Sequence, residues 1–153
     1  MTPLAAIMDV QFANPQTRLP IDEDRLRALC ERTLAAHGVE ASLSVVLGDN
    51  AMIRDLNAQF RDEDEITDVL AFPFDDEPGP EGERLLGEVV VSVEKAVDEA
   101  RERGGNAEAE TALYVAHGLL HLLGYDDHDP DDTRRMREAE AVALAGAGYE
   151  PTP

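Results

Sequence analysis

Residues 108–128 read EAETALYVAHGLLHLLGYDDH. From about Glu108 to Leu123 the apolar residues keep helical spacing without a proline, which predicts a long helix, and Gly124 supplies its C-terminal stop. His117 and His121 stand four apart in it. Four residues turn a helix by about 40° beyond a full circle and climb ~6 Å, so both rings leave the same face, one above the other. Two imidazoles so placed can share one tetrahedral cation. Past Gly124 the chain bends back through Tyr125, Asp126, Asp127 and His128, and a third ligand from this loop can close on the same ion. Two ligands from a rigid helix and one from a return loop leave a fourth position for water, the catalytic rather than the structural pattern of zinc.

A His pair at this spacing is by itself common on helix surfaces. The third His behind a Gly turn, and the lack of any other chelating cluster, shift the balance toward metal. Gly118, between the two His, costs ~1 kcal/mol relative to Ala in a helix interior. It either lets a substrate or a backbone come close, or serves helix–sheet packing. It also speaks against the His-Glu-x-x-His proteases, whose general base sits beside the first His. His37, at a helix C-terminus, is read as a favourable partner of the helix dipole and not as a fourth ligand.

The flanking sequence predicts a mixed fold. Leu4 to Phe12 reads as a strand. Asp22 caps a helix carrying Leu26, Leu29 and Leu34, which stops at Gly38. Ala41 to Leu47 is a second strand, and Gly48 and Asp49 turn into a helix with Ile53, Leu56 and Phe60. DVLAFPF (68–74) is a third strand, with Pro73 marking an edge or a bend. Asp75 to Glu83 is an acidic Pro/Gly loop, expected to be mobile. GEVVVS (87–92) is a fourth strand, and Ser92 caps the helix that runs to Arg103. After the histidine helix, an acidic loop leads to a last helix ending near Ala145. The expected fold class is α+β: one domain over residues 1–153, with a small mixed sheet of about four strands covered by helices.

Apolar residues make up 43% of the 153, enough for a core without crosslinks. The single cysteine, Cys30, excludes both an internal disulfide and a cysteine zinc cluster, so a metal here must use His and carboxylates. Cys30 itself falls among leucines at helical spacing and reads as a small buried hydrophobe. No basic stretch followed by an apolar run opens the chain, and nothing approaches ~18 consecutive apolar residues, so a soluble cytoplasmic protein with no membrane partner is expected. The balance of 33 acidic against 13 basic residues gives a net charge of −20. Such a surface repels nucleic acid at long range. Lys95 is the only lysine, and a lysine-poor acidic surface also fits a salty cytoplasm, where salt screens that repulsion.

Three blocks carry a family resemblance. HGLLHLLGYDDH resembles the His-Gly-x-x-His-Leu-x-Gly-Tyr-Asp-His signature of the YbeY family, metal-dependent endoribonucleases of ribosomal RNA maturation. LNAQFRDEDEITDVLAFPF and GEVVVS resemble that family's upstream segments, in the same order, over about residues 40–145. The resemblance implies a zincin-like α+β fold and one zinc on three His, with His117 and His121 as the first two ligands. It also implies an Arg near the metal, at Arg61. It further implies action on single-stranded RNA in small-subunit ribosomal RNA processing and ribosome quality control, with the small subunit or its assembly factors as partners. Two positions depart. Glu88 stands where the family has Asp. The family's third His falls six residues after the second, a slot that holds Asp127 here, with His128 one further on. Either His128 ligates through a loop one residue longer, or Asp127 ligates in a His-His-Asp site; zinc accepts both. His128 is preferred, because a loop absorbs one residue more easily than a site changes its charge.

Phosphodiester cleavage needs a Lewis acid, a nucleophile and charge stabilisation. Arg61 can grip a phosphate through two parallel hydrogen bonds, or it is an ordinary surface Arg paired within Asp62 to Glu65. A single-strand zinc endoribonuclease is the first expectation. The alternatives are a metallohydrolase of a non-nucleic-acid substrate, which the net charge favours, and a ribosome-assembly factor with a structural zinc.

Overall fold

The computed structural model describes residues 9–63, 65, 67–74 and 84–151. In chain order the elements are β1 (Val10–Ala13), α1 (Glu23–Ala36), β2 (Ser42–Gly48), α2 (Asn50–Arg61), β3 (Val69–Pro73), β4 (Leu85–Ser92), α3 (Val93–Arg103), α4 (Ala107–Leu122) and α5 (Pro130–Gly146). The fold is α+β, as the sequence predicts. Of the expected first strand, residues 10–13 are observed, and positions 4–8 lie outside the described residues, as does the expected acidic loop 75–83. No helix among the described residues is long and apolar enough to cross a membrane.

The sheet runs β1-β2-β4-β3. β1, β2 and β4 are parallel, and β3 pairs antiparallel to β4. β4 is therefore interior, which its Val89-Val90-Val91 run suits, since all three side chains are buried. β3 is an edge strand, so Pro73 at its end leaves no ladder bond missing on the far side. Leu43, Val45, Leu47, Val89 and Val91 form one core with Leu26, Leu29, Cys30 and Leu34 of α1 and Val115, Ala116 and Leu119 of α4. Burial pushes the Cys30 thiol up to about 12, so it stays protonated and acts as a hydrophobe.

The caps at Asp22 and Ser92 are those the sequence predicts, and Asp49 caps the helix it turns into. Asp22 accepts from the Arg25 N–H at 3.1 Å, Asp49 from Met52 at 2.9 Å, and Ser92 from Lys95 at 3.1 Å. Asn106 starts α4 in the same way, accepting from Ala109 at 2.9 Å.

α4 packs on β3 and β4 and is flanked by α1, α3 and α5. It is apolar nearly all round because it is enclosed on most sides. Gly118 makes the close approach to the sheet possible. A Cβ there would lie 2.7 Å from Val89 Cγ1 and 3.0 Å from Val69 Cγ2. Gly118→Ala should therefore destabilise the protein, although Ala is the better helix former. An overpacking cost of ~1–3 kcal/mol outweighs a propensity gain of ~1 kcal/mol, and the melting temperature should fall by about 3–6 °C. A raised melting temperature for this variant would contradict the packing.

Candidate metal centre

α4 ends where the chain must reverse. Gly124 takes φ +102°, a left-handed value that favours glycine. Its N–H donates to the His121 carbonyl at 3.0 Å, and the Tyr125 N–H donates to Leu120 at 3.0 Å. This closes the last turn and sends the loop back along the helix. Tyr125 is anchored in turn. Its hydroxyl donates to His37 Nε2 at 2.9 Å, while His37 Nδ1 donates to the Thr33 carbonyl at 2.7 Å. His37 is the C-cap of α1, and both of its ring nitrogens are engaged in holding the loop.

His117 Nε2 and His121 Nε2 lie 3.0 Å apart. One ligand atom from each of His117, His121 and Asp127 falls within 4.8 Å of the others. Ligand atoms on a tetrahedral ion with ~2.0–2.1 Å bonds sit ~3.3 Å apart. The His pair is close to that spacing, and Asp127 needs only a small movement of an exposed loop. Two imidazoles and one carboxylate are a donor set that a hydrolytic zinc takes.

His128 is turned away. Its side chain is 78% exposed, and its Nδ1 lies 3.8 Å from Asp126. The preference for His128 over Asp127 finds no support in this placement. Asp129 caps α5, with Pro130 at its first turn, so His128 is drawn to the outer end of the loop. Asp127, six residues after His121, is exposed but brings a carboxylate oxygen within 4.8 Å of the His pair.

Glu140 of α5 completes the cluster. His117 Nδ1 donates to Glu140 Oε2 at 2.6 Å, across 23 residues of sequence. That bond directs Nε2 toward His121 and Asp127, as partners of metal-binding imidazoles do. The Glu140 hydrogen bond holds the His117 imidazolium above its ordinary range; burial opposes it, and the charges of Glu140, Asp68 and Asp127 add to it. Sequence reading missed Glu140, because nothing in the spacing of α5 ties that residue to the His pair.

Between α4 and the β3 edge lies a cleft of about 440 Å3, lined by His117, Gly118, His121, Asp68 and Arg61 among others. The Arg61 side chain is exposed, and its Nη2 donates to the Ala71 carbonyl at 3.3 Å. Asp68 and His117 also line a larger cavity of about 850 Å3 that opens toward α3 and α5.

The family model described as Endoribonuclease YbeY matches residues 11–148. The chain belongs to the YbeY family. A YbeY endoribonuclease of Carboxydothermus hydrogenoformans is 38% identical over 143 residues, covering 92% of this chain and 98% of the relative. One of Anaeromyxobacter dehalogenans is 48% identical over 125 residues, 81% of this chain and 64% of that longer protein. The solution structure of TM1509 from Thermotoga maritima superposes with a TM-score of 0.65 at 26% identity, over 90% of this chain and 88% of that one. YbeY proteins are metal-dependent nucleases, and the three blocks that carried the resemblance converge here. The His motif supplies α4 and its return loop, TDVLAFPF supplies the β3 wall, and GEVVVS supplies the strand beneath Gly118. Glu88, where the YbeY pattern has Asp, accepts from the Ser44 hydroxyl at 3.0 Å on the neighbouring strand.

Glu140→Gln should weaken metal binding by roughly 10–100-fold near neutral pH, read by competition with a chromogenic chelator. In the metal-free protein the same pair bears on stability. A raised folded-state value means that the His117–Glu140 pair stabilises fully below the ordinary imidazole range and fades as pH rises through the raised value. The melting advantage of wild type over Glu140→Gln should shrink with rising pH; growth with pH would contradict the pairing.

Proposed function

We propose that this protein is a single-strand-specific zinc endoribonuclease of the cytoplasm. In this reading it matures small-subunit ribosomal RNA and serves ribosome quality control, with residues 1–153 as one hydrolase domain. Membership of the YbeY family supports the RNA substrate. The observation that carries the reading is the His117–His121–Asp127 cluster, whose two His line one cleft with Arg61.

His117, His121 and Asp127 would hold one zinc per chain, with His128 as the alternative third ligand. When bound, zinc supplies a Lewis acid for a phosphoryl oxygen and lowers the pKa of its water. Glu140 keeps the His117 ring oriented. Arg61, which lines the cleft, would grip a phosphate and offset the charge that develops on it. The peptide-hydrolase alternative lacks support at Gly118, where a protease of the His-Glu-x-x-His type carries its base.

Purified protein should cleave single-stranded RNA, and Arg61→Ala should lower kcat/KM by roughly 100-fold with metal content and fold retained. Arg61→Lys should rescue poorly, because an ammonium cannot make the two-pronged contact. Wild-type cleavage by Arg61→Ala would remove Arg61 from the site.

A further inference from the structure

A net charge of −20 leaves an RNA-binding surface short of cations. Arg61 is the sole Arg, and there is no Lys, among the described residues lining the cleft. Counterion release, which supplies most of the affinity of basic grooves, is correspondingly small. Another source of affinity lies beside the cleft. The chain has four phenylalanines. Three of them, Phe60, Phe72 and Phe74, stand at the end of α2 and along or just beyond β3. Phe60 is 61% exposed and Phe74 42%. The Phe60 and Phe72 rings meet edge to face, with centroids 5.5 Å apart. Strand alternation puts Phe72 on the opposite face of β3 from Ala71 and Pro73, which line the cleft. Arg61 follows Phe60 and reaches the Ala71 carbonyl at the free edge of β3. The guanidinium thus crosses the strand edge between the aromatic ledge and the cleft.

We propose that Phe60, backed by Phe72, is a stacking platform for an unpaired base of the RNA strand whose phosphate lies at Arg61. The inference rests on the RNA reading above and specifies how that substrate is held. Every base has a π-face, so the platform tolerates any sequence, but it needs a base free of its duplex stack. That requirement selects single strands without a basic groove. Stacking is scarcely screened by salt, so binding should weaken less with added salt than a basic groove would allow.

The chain contains no tryptophan, so Phe60→Trp installs a single tryptophan, excitable apart from the three tyrosines, on an exposed helix position. Titration with a short single-stranded oligoadenylate should quench its emission saturably, in step with the anisotropy of labelled oligomer. Phe60→Ala should raise KM for single-stranded RNA by roughly ten-fold, with a larger effect on KM than on kcat. Phe60→Tyr should restore most of the loss, and all three variants should melt like wild type. Unchanged emission at saturating RNA, or a wild-type KM for Phe60→Ala, would overturn the platform while leaving the endoribonuclease reading intact. Quenching by an added ribosomal protein but not by RNA would assign the ledge to a protein partner and overturn it too. A wild-type protein that neither binds nor cleaves RNA would overturn both readings.

Discussion

Replacing His117 and His121 together by Ala should strip the protein of metal and lower its cleavage of single-stranded RNA by on the order of 10³-fold or more, an effect of ~4 kcal/mol on the barrier. The fold should survive. Both rings are only partly buried, whereas Val115, Ala116 and Leu119 fill the core beside them. The two nitrogens stand 3.0 Å apart in a chain whose net charge is −20. A cation between them is the electrostatically favoured occupant, and without it the cleft is left with one Arg to meet a phosphate. Elemental analysis of the purified variants, alongside circular dichroism, reads both halves of the expectation. Full metal content in the double variant would sink the helix-pair assignment.

The second large effect concerns the loop. Asp127→Ala should cut zinc affinity by roughly 100-fold or more, and His128→Ala should change it by less than about 3-fold. Adjacent residues in a turning loop point in different directions, so one of the two can face the His pair and the other cannot. Asp127 is the one within 4.8 Å, while His128 is 78% exposed beside Asp126. An Asp ligand lowers the net charge of the site by one relative to a third imidazole, which weakens attraction for a phosphate. Arg61 then becomes the more important for charge balance. A zinc titration in which His128→Ala is the more damaging change would show that the loop reorganises on binding metal.

The metal helix was legible because its signals are local. His spacing, apolar periodicity and Gly124 all lie within one stretch of chain, and backbone geometry converts that spacing into a shared face. Caps at Asp22 and Ser92, and Pro73 at an edge strand, were legible for the same reason. Strand order was not, because the Val run in GEVVVS predicts a strand without saying which neighbours it takes. Only the pairing of Val89 with both Val45 and Ala71 places β4 between β2 and β3. The choice between Asp127 and His128 was not legible either. It depends on how the loop after Gly124 folds back toward the His pair, which the spacing of the residues does not fix. Glu140 was out of reach, since its role exists only once α5 folds back against α4.

In the proposed reaction, cleavage depends on one metal ion held at the His117 and His121 cluster. The most direct test strips the protein with a chelator and titrates zinc back while following cleavage of single-stranded RNA. Cleavage should vanish on stripping and return to a plateau at about one zinc per chain. Full-rate cleavage by the metal-free protein, or none at any zinc level, would show that cleavage does not run through this ion.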